Sequence, residues 1–315
     1  MNLQLRDRSV SRAYDRLSRL MPGKVAGDKP LAKFTTLRVG GPAAIYAVAD
    51  TLSELRLIME TINDYDLPAL ILGRGSNLLI SDEGLRGIVF QLGGDFNQVL
   101  IDETEIRAGA AVTLTSLVQA AARHQLAGLA FAVGIPGTVG AAVSLNAGAH
   151  GGDMSQIVKR ITYYTRARRL TTAGADQLSF GYRRCRLPAG AVILEARLGL
   201  TAASAEMIKS QMETNWRRRK TSQPLDLPNA GSMFKNPEGH YAGQLIEAAG
   251  CKGWQVGGAQ VATKHANFFV NTGAATAADF YRLVHRVADA VKADSGVELE
   301  PEIKMVGDWS YAASR

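Results

Sequence analysis

Two short stretches of this 315-residue chain space their glycines as a phosphate-bearing ligand would require. Gly73-Arg74-Gly75-Ser76-Asn77 follows an apolar run, and Gly134-Ile135-Pro136-Gly137-Thr138-Val139-Gly140 carries a glycine at every third position. Without a Cβ, glycine lets main chain approach a ligand closely and aim N–H groups at phosphate oxygens. Two such loops in one domain point to a diphosphate held mainly through backbone. A Rossmann fingerprint is not met, because that turn opens a helix and Leu78–Asp82 reads as a strand. Taken alone, the first loop is equally well a hairpin turn.

The side-chain chemistry is more scattered. Ser232, Lys235 and Asn236 share the stretch Pro228-Asn-Ala-Gly-Ser-Met-Phe-Lys-Asn-Pro237. No histidine adjoins Ser232 and the stretch is not G-x-S-x-G, so a hydrolase triad is poorly supported; a turn or cap is the plain alternative. Lys235 and Asn236 read either as anion contacts or as surface turn residues. Arg217-Arg-Arg-Lys220 reads as a solvated helix end, close enough in sequence to Ser232 to serve the same pocket. Arg183, in SFGYRRCRL, suits a substrate carboxylate or a surface ion pair. Glu302 alternates with Glu298, Glu300 and Lys304 along an expected strand, which on its own reads as a solvated polar face. The five histidines show no metal-ligand spacing, and Cys185 and Cys251 cannot build a disulfide framework or a four-thiolate site.

The elements that must position these residues follow from periodicity. Residues 43–50, 68–73, 78–82, 87–92 and 105–112 read as strands. The box Thr51-Leu-Ser-Glu54 starts a helix to about Tyr65, with Leu55, Ile58, Met59 and Ile62 on one face. A helix is expected over 116–124, strands over 161–165 and 192–200, and a helix over 204–219. A short helix over 243–249, a strand over 267–271, a helix from the Thr276-x-x-Asp279 box and a last strand over 297–306 complete the chain. Strands and helices mix without strict alternation, which indicates α+β.

Composition narrows the class. The apolar fraction of 46% and charged fraction of 21% exclude disorder. The net charge of +7 is concentrated at the start, where residues 1–30 hold seven basic and three acidic residues, read as a basic leader forming a solvated helix or mobile arm. No basic stripe with interleaved aromatics follows, so nucleic acid is not an expected partner. The stretch 125–152 has no Asp, Glu, Lys or Arg but seven glycines and Pro136, which reads as buried loop and strand and not as a membrane span. With no apolar h-region behind the basic N-terminus, a cytoplasmic protein is expected.

Seven motifs in this order resemble one family. TTLRVGGPA (35–43), LGRGSNLLISDEGLRGIV (72–89), GIPGTVGAAVSLNAGAHGGD (134–153), FGYRRC (180–185), NAGSMFKNP (229–237), KHANFFVN (264–271) and LEPEIKMVG (299–307) are similar to the UDP-N-acetylenolpyruvoylglucosamine reductases (MurB family). The resemblance implies a two-lobed α+β FAD-binding domain of the vanillyl-alcohol-oxidase (PCMH) type over 31–202. A smaller C-terminal α+β substrate domain over 203–300 and a return strand and tail over 301–315 would follow. It implies FAD and NADPH as cofactors and the enolpyruvyl ether of UDP-N-acetylglucosamine as the small-molecule substrate, with a monomer expected and no metal. Matched residue by residue, Ser232 falls on the proton donor, Arg183 on the arginine that steadies the substrate carboxylate, and Glu302 on its acidic partner. Both glycine loops, 73–77 and 134–140, would meet FAD, and Lys220, Lys235 and Asn236 the anionic groups of NADPH and substrate. The short span from Arg183 to Ser232 implies the shorter subtype, which lacks a tyrosine-bearing loop. Ala141, His150 and Cys185 stand where the family more often has glycine, tyrosine and serine; Cys185, two residues from Arg183, could alter how that arginine is held.

Overall fold

In the computed structural model, which describes residues 8–313, the basic segment is folded into the body of the protein. Helix α1 (Arg8–Leu20) buries Val10, Ala13 and Leu17, with Met21 following on the same stripe. Residues Val25–Pro30 pair antiparallel with Pro42–Ala49. Arg16 reaches Asp64 at 2.6 Å, and Lys24 reaches Asp50 at 2.7 Å and Glu54 at 2.6 Å. The expectation of a solvated leader or mobile arm is therefore corrected for residues 8–30; residues 1–7 lie outside the described part. The apolar stripe is narrow and the arginines sit beside it, so composition hid it.

The first lobe is a four-stranded sheet ordered Val25–Pro30, Pro42–Ala49, Leu85–Leu92, Ala69–Ile71, parallel after its first pair. Helix α2 (Leu52–Asp64) begins at the expected box: Thr51 accepts from the Glu54 N–H and Glu54 reaches back to the Thr51 N–H. With α1 it covers Ala44, Ile45 and Ala47, while Ala43, Leu70, Leu72 and Val89 form a second apolar layer.

The second lobe is an antiparallel five-stranded sheet ordered Leu170–Gly174, Val158–Tyr164, Val192–Gly199, Glu105–Gly109, Val99–Asp102. Helices α3 (Leu114–Arg123) and α4 (Val139–Ser144) pack on it, so the uncharged stretch is largely core and loop. The strand 192–199 spans both lobes: Val192 and Leu194 belong to the first core, Ala196 and Leu198 to the second. Helix α5 (Ala205–Ser222), where the sequence begins its C-terminal part, lies against α3 and residues 130–132, tied by Asn215 Nδ2 to the Ala130 carbonyl at 2.9 Å.

The C-terminal part is a sheet ordered Asn229–Ser232, Phe268–Asn271, Ala259–Val261, Gln255–Val256. It packs with α6 (Ala242–Ala248) and α7 (Ala277–Ser295) around Phe234, Phe269, Phe280 and Val284. The Thr276–Asp279 box starts α7, and Gly296, at φ +74°, ends it. Leu37, Val39 and Leu79 of the first lobe share this core.

The expected last strand shrinks to Lys304–Val306, with a single bridge between Phe234 and Pro301 before it, because proline cannot donate to a ladder. Lys304–Val306 returns to pair in parallel with Leu78–Ile80. Residues 69–71 and 78–80 therefore lie in different sheets, which removes the hairpin reading of the loop between them.

Candidate active site

The two glycine loops meet. Ser76 Oγ donates to the Pro136 carbonyl at 2.7 Å, and Thr138 caps α4 by accepting from the Ala141 N–H. Gly75, at φ +59°, packs against the Phe34 carbonyl with no room for a Cβ. A Cβ on Gly73 would stand 3.0 Å from Thr138 Oγ1, and one on Gly140 2.9 Å from Ala110 Cβ. Gly137 adopts φ +155° beside Ser76. The seam is thus made of main chain and short hydroxyls, with Arg74 exposed and Ile135 and Gly73 half-buried beside it. Such a seam fits a diphosphate-bearing cofactor: close backbone approach is available and no carboxylate comes from either loop.

Asn77, the last residue of the first loop, faces the opposite way. Its Nδ2 donates to the Glu302 carbonyl at 3.1 Å, and its own carbonyl accepts from the Lys304 N–H at 3.1 Å. The loop is thereby fastened to the returning strand, and Glu302 is carried to the seam.

Arg183 occupies the turn of the hairpin Ser179–Gly181/Arg184–Arg186, at φ +56°. That conformation costs an arginine about 1–2 kcal/mol. Two contacts brace it: Asn146 Nδ2 donates to the Gly181 carbonyl at 3.2 Å, and Arg183 Nη1 to the Gly148 carbonyl at 3.0 Å. Arg183 Nε lies 2.7 Å from Glu302 Oε1, although its N–H is not aimed along that line. The contact is therefore one of charge, not an aligned hydrogen bond. Burial raises the Glu302 carboxyl above the ordinary glutamate range, and the charges of Arg183 and Lys235 only partly offset it.

Ser232 ends the bulged strand Asn229–Ser232, after Gly231 at φ +77°. The next residue, Met233, accepts the Glu302 N–H at 2.8 Å, and the Lys235 N–H donates to the Glu300 carbonyl at 2.9 Å. Residues 232–235 and 300–302 thus run side by side. Glu302, with Arg183 against it, is thereby held beside the residue that follows Ser232, and the Ser232 hydroxyl makes no hydrogen bond among the described residues.

The remaining predicted contacts are unequally placed. Lys235 Nζ pairs with Glu300 and acts electrostatically on Glu302. Asn236 Oδ1 accepts from the Ala242 N–H at 3.0 Å, at the start of α6, and its own N–H meets Tyr182 Oη at 3.4 Å. Lys220 sits exposed near the end of α5, its carbonyl accepting from Lys264 Nζ at 2.6 Å. Cys185 points into the core of the second lobe, where burial raises its thiol, so it packs and does not hold Arg183. Sequence reasoning missed three residues here: Asn146, the brace of the hairpin; Tyr182, which joins it to the Lys235–Asn236 loop; and Arg219, which is buried. Asn146 and Tyr182 lay inside the quoted motifs, whereas Arg219 was masked by its exposed basic neighbours. Among the described residues, no group of three or more His, Cys, Asp or Glu could hold a metal, and no helix is long and apolar enough to cross a membrane.

A family model for an FAD binding domain matches residues 43–170, and one for the C-terminal domain of UDP-N-acetylenolpyruvoylglucosamine reductase matches residues 223–306. A reductase of that name from Symbiobacterium thermophilum is 44% identical over 91% of this chain and 93% of its own. One from Moorella thermoacetica is 43% identical over 90% and 94%. The crystal structure of UDP-N-acetylenolpyruvylglucosamine reductase (MurB) from Thermus caldophilus superposes with a TM-score of 0.79 at 37% identity, covering 90% of this chain and 98% of that one. A two-lobed FAD-binding domain followed by the matching C-terminal domain, over nearly the full length of these relatives, means that the chain belongs to the UDP-N-acetylenolpyruvoylglucosamine reductase (MurB) family.

Proposed function

We propose that this chain is the NADPH-dependent, FAD-containing reductase that converts UDP-N-acetylglucosamine enolpyruvate to UDP-N-acetylmuramate for peptidoglycan synthesis, acting in the cytoplasm as a monomer. The observation that carries the residue roles is the 2.7 Å approach of Arg183 to Glu302, whose N–H is held by the carbonyl of Met233, the residue after Ser232. FAD held against the 73–77 and 134–140 loops and reduced by NADPH would supply the hydride that the methylene carbon of the enolpyruvyl ether takes up. Electron density then moves into the substrate carboxylate, and the residues of this chain must hold that charge and deliver a proton. Arg183 steadies the carboxylate; Glu302, pressed against its Nε, fixes where the guanidinium sits. The Ser232 hydroxyl donates the proton to the carbon next to the carboxylate. A hydroxyl is a weak acid in water, but it suffices for a strongly basic carbon held at contact distance. Lys235 adds positive potential at Glu302, and Lys220 and Asn236 are assigned to the anionic groups of the nucleotide.

The test follows NADPH consumption with and without the enolpyruvyl sugar nucleotide, which should be required for turnover; indifference to it would reject the assignment. In Ser232→Ala, NADPH should still bleach the flavin while reoxidation by the sugar nucleotide falls at least about a hundredfold, the scale of a lost proton donor. Wild-type reoxidation in that variant would remove the role given to Ser232.

A further inference from the structure

Arg219 is 7% exposed, its Nε has no hydrogen-bond partner, and no carboxylate lies within ion-pair reach among the described residues. The other charged residue buried to this degree, Asp279, is satisfied by the Thr276 N–H at 2.9 Å and by Arg282 at 2.8 Å. A guanidinium does not shed its proton in a protein, and an isolated buried charge is costly to hold. The groups acting on its surroundings make matters worse: Arg218 is a second cation, and both arginines depress the nearby His150 imidazole, which burial already holds low. Four residues on, just past the end of α5, Gln223 Oε1 is also buried without a partner.

The placement says what is missing. A Cβ on Gly134 would stand 3.2 Å from Arg219 Cδ and 2.9 Å from the Trp216 ring. The absent side chain at Gly134 thus lets α5 bring its buried cation against the first residue of the second glycine loop. We propose that Arg219 is an anion receptor that takes phosphate oxygens of a nucleotide lying along the Gly134–Gly140 loop. Its planar fork matches a phosphate group bidentately. The proposal rests on the nucleotide chemistry assigned above, which offers two sources of the same group: the diphosphate of FAD and the diphosphate of the uridine nucleotide.

The experiment uses the full chain with Arg219→Gln and Arg219→Lys. FAD and riboflavin are titrated into FAD-stripped protein by flavin fluorescence, and UDP and uridine into FAD-loaded protein. Arg219→Gln should bind one diphosphate ligand at least about tenfold more weakly, about 1.4 kcal/mol, while its diphosphate-free counterpart binds as before. Arg219→Lys should recover part of the loss. Weakening confined to FAD assigns the site to the cofactor, and weakening confined to UDP assigns it to the substrate nucleotide. The FAD-stripped Arg219→Gln protein should also melt no lower than FAD-stripped wild type, since an unpaired buried charge has been removed. Equal changes for both members of each pair, no change for any ligand, or a large fall in the melting temperature of the stripped protein would overturn the proposal. Should the variant fail to fold, inorganic pyrophosphate must stabilise the wild-type chain and compete with FAD or UDP; no effect overturns it equally. A wild-type chain that binds neither FAD nor UDP would instead defeat the reductase reading itself.

Discussion

Replacing Glu302 by glutamine separates positioning from stability, because the amide keeps the shape of the side chain and removes its charge. At 2.7 Å the attraction between Arg183 and Glu302 is about 6 kcal/mol at an effective dielectric near 20. The two side chains are only 25% and 16% exposed, however, and taking two ions out of water costs several kcal/mol each, roughly cancelling that attraction. The raised Glu302 carboxyl carries the same message: burial outweighs its cations. We therefore expect Glu302→Gln to change stability by no more than about 1 kcal/mol, a shift of up to about 4 °C in melting temperature. Turnover should fall about 10²–10³-fold, as when a charge aimed at a developing oxyanion is misplaced. The pH dependence gives a second readout. The folded state holds the Glu302 proton more tightly than the unfolded state does, so wild type loses stability as pH rises from the ordinary glutamate value through the raised one. The glutamine variant should lack that decline. Thermal melts across weakly acidic to neutral pH, paired with steady-state kinetics, provide the measurement. Turnover within threefold of wild type would refute the positioning role, and a loss of several kcal/mol would show the pair to be a structural staple.

Gly75→Ala forces a Cβ into the Phe34 carbonyl at φ +59°; purified protein should lose bound flavin absorbance or melt markedly lower, and full occupancy with an unchanged melt would contradict the cradle. Leu17→Ala empties a fully buried site on α1 and should cost about 2–5 kcal/mol in urea unfolding, where a solvated arm would lose almost nothing. Cys185, buried with its thiol raised, should resist alkylation in the native holoenzyme and react only on unfolding; rapid native labelling would show it open to solvent.

Much of the framework could be read from the chain because local chemistry wrote it there. The Thr51–Glu54 and Thr276–Asp279 boxes start their helices as expected, since side-chain capping depends on residues three apart. The alternation Val192, Leu194, Ala196, Leu198 marks a strand buried on one face, but nothing local reveals that its first half covers one lobe and its second half another. The buried face of helix α1 was missed for the converse reason: three apolar residues among seven arginine and serine positions became a core face only when α2 and the first sheet were laid against them. Glu302 illustrates the limit best. Its alternation with Glu298 and Glu300 reads as a wet face, yet Lys292, Lys235 and Arg183 each supply a partner from a different segment. The family motifs gave Glu302 its expected importance; the spacing of carboxylates could not.

Asn77 joins residues 225 positions apart in sequence, and this fixes when the protein can finish assembling. During synthesis both glycine loops emerge well before the strand that steadies the first of them. Native pairings of such long sequence separation form slowly, so the cofactor-binding lobes must wait, incompletely braced, until residues 302–306 arrive to lock them.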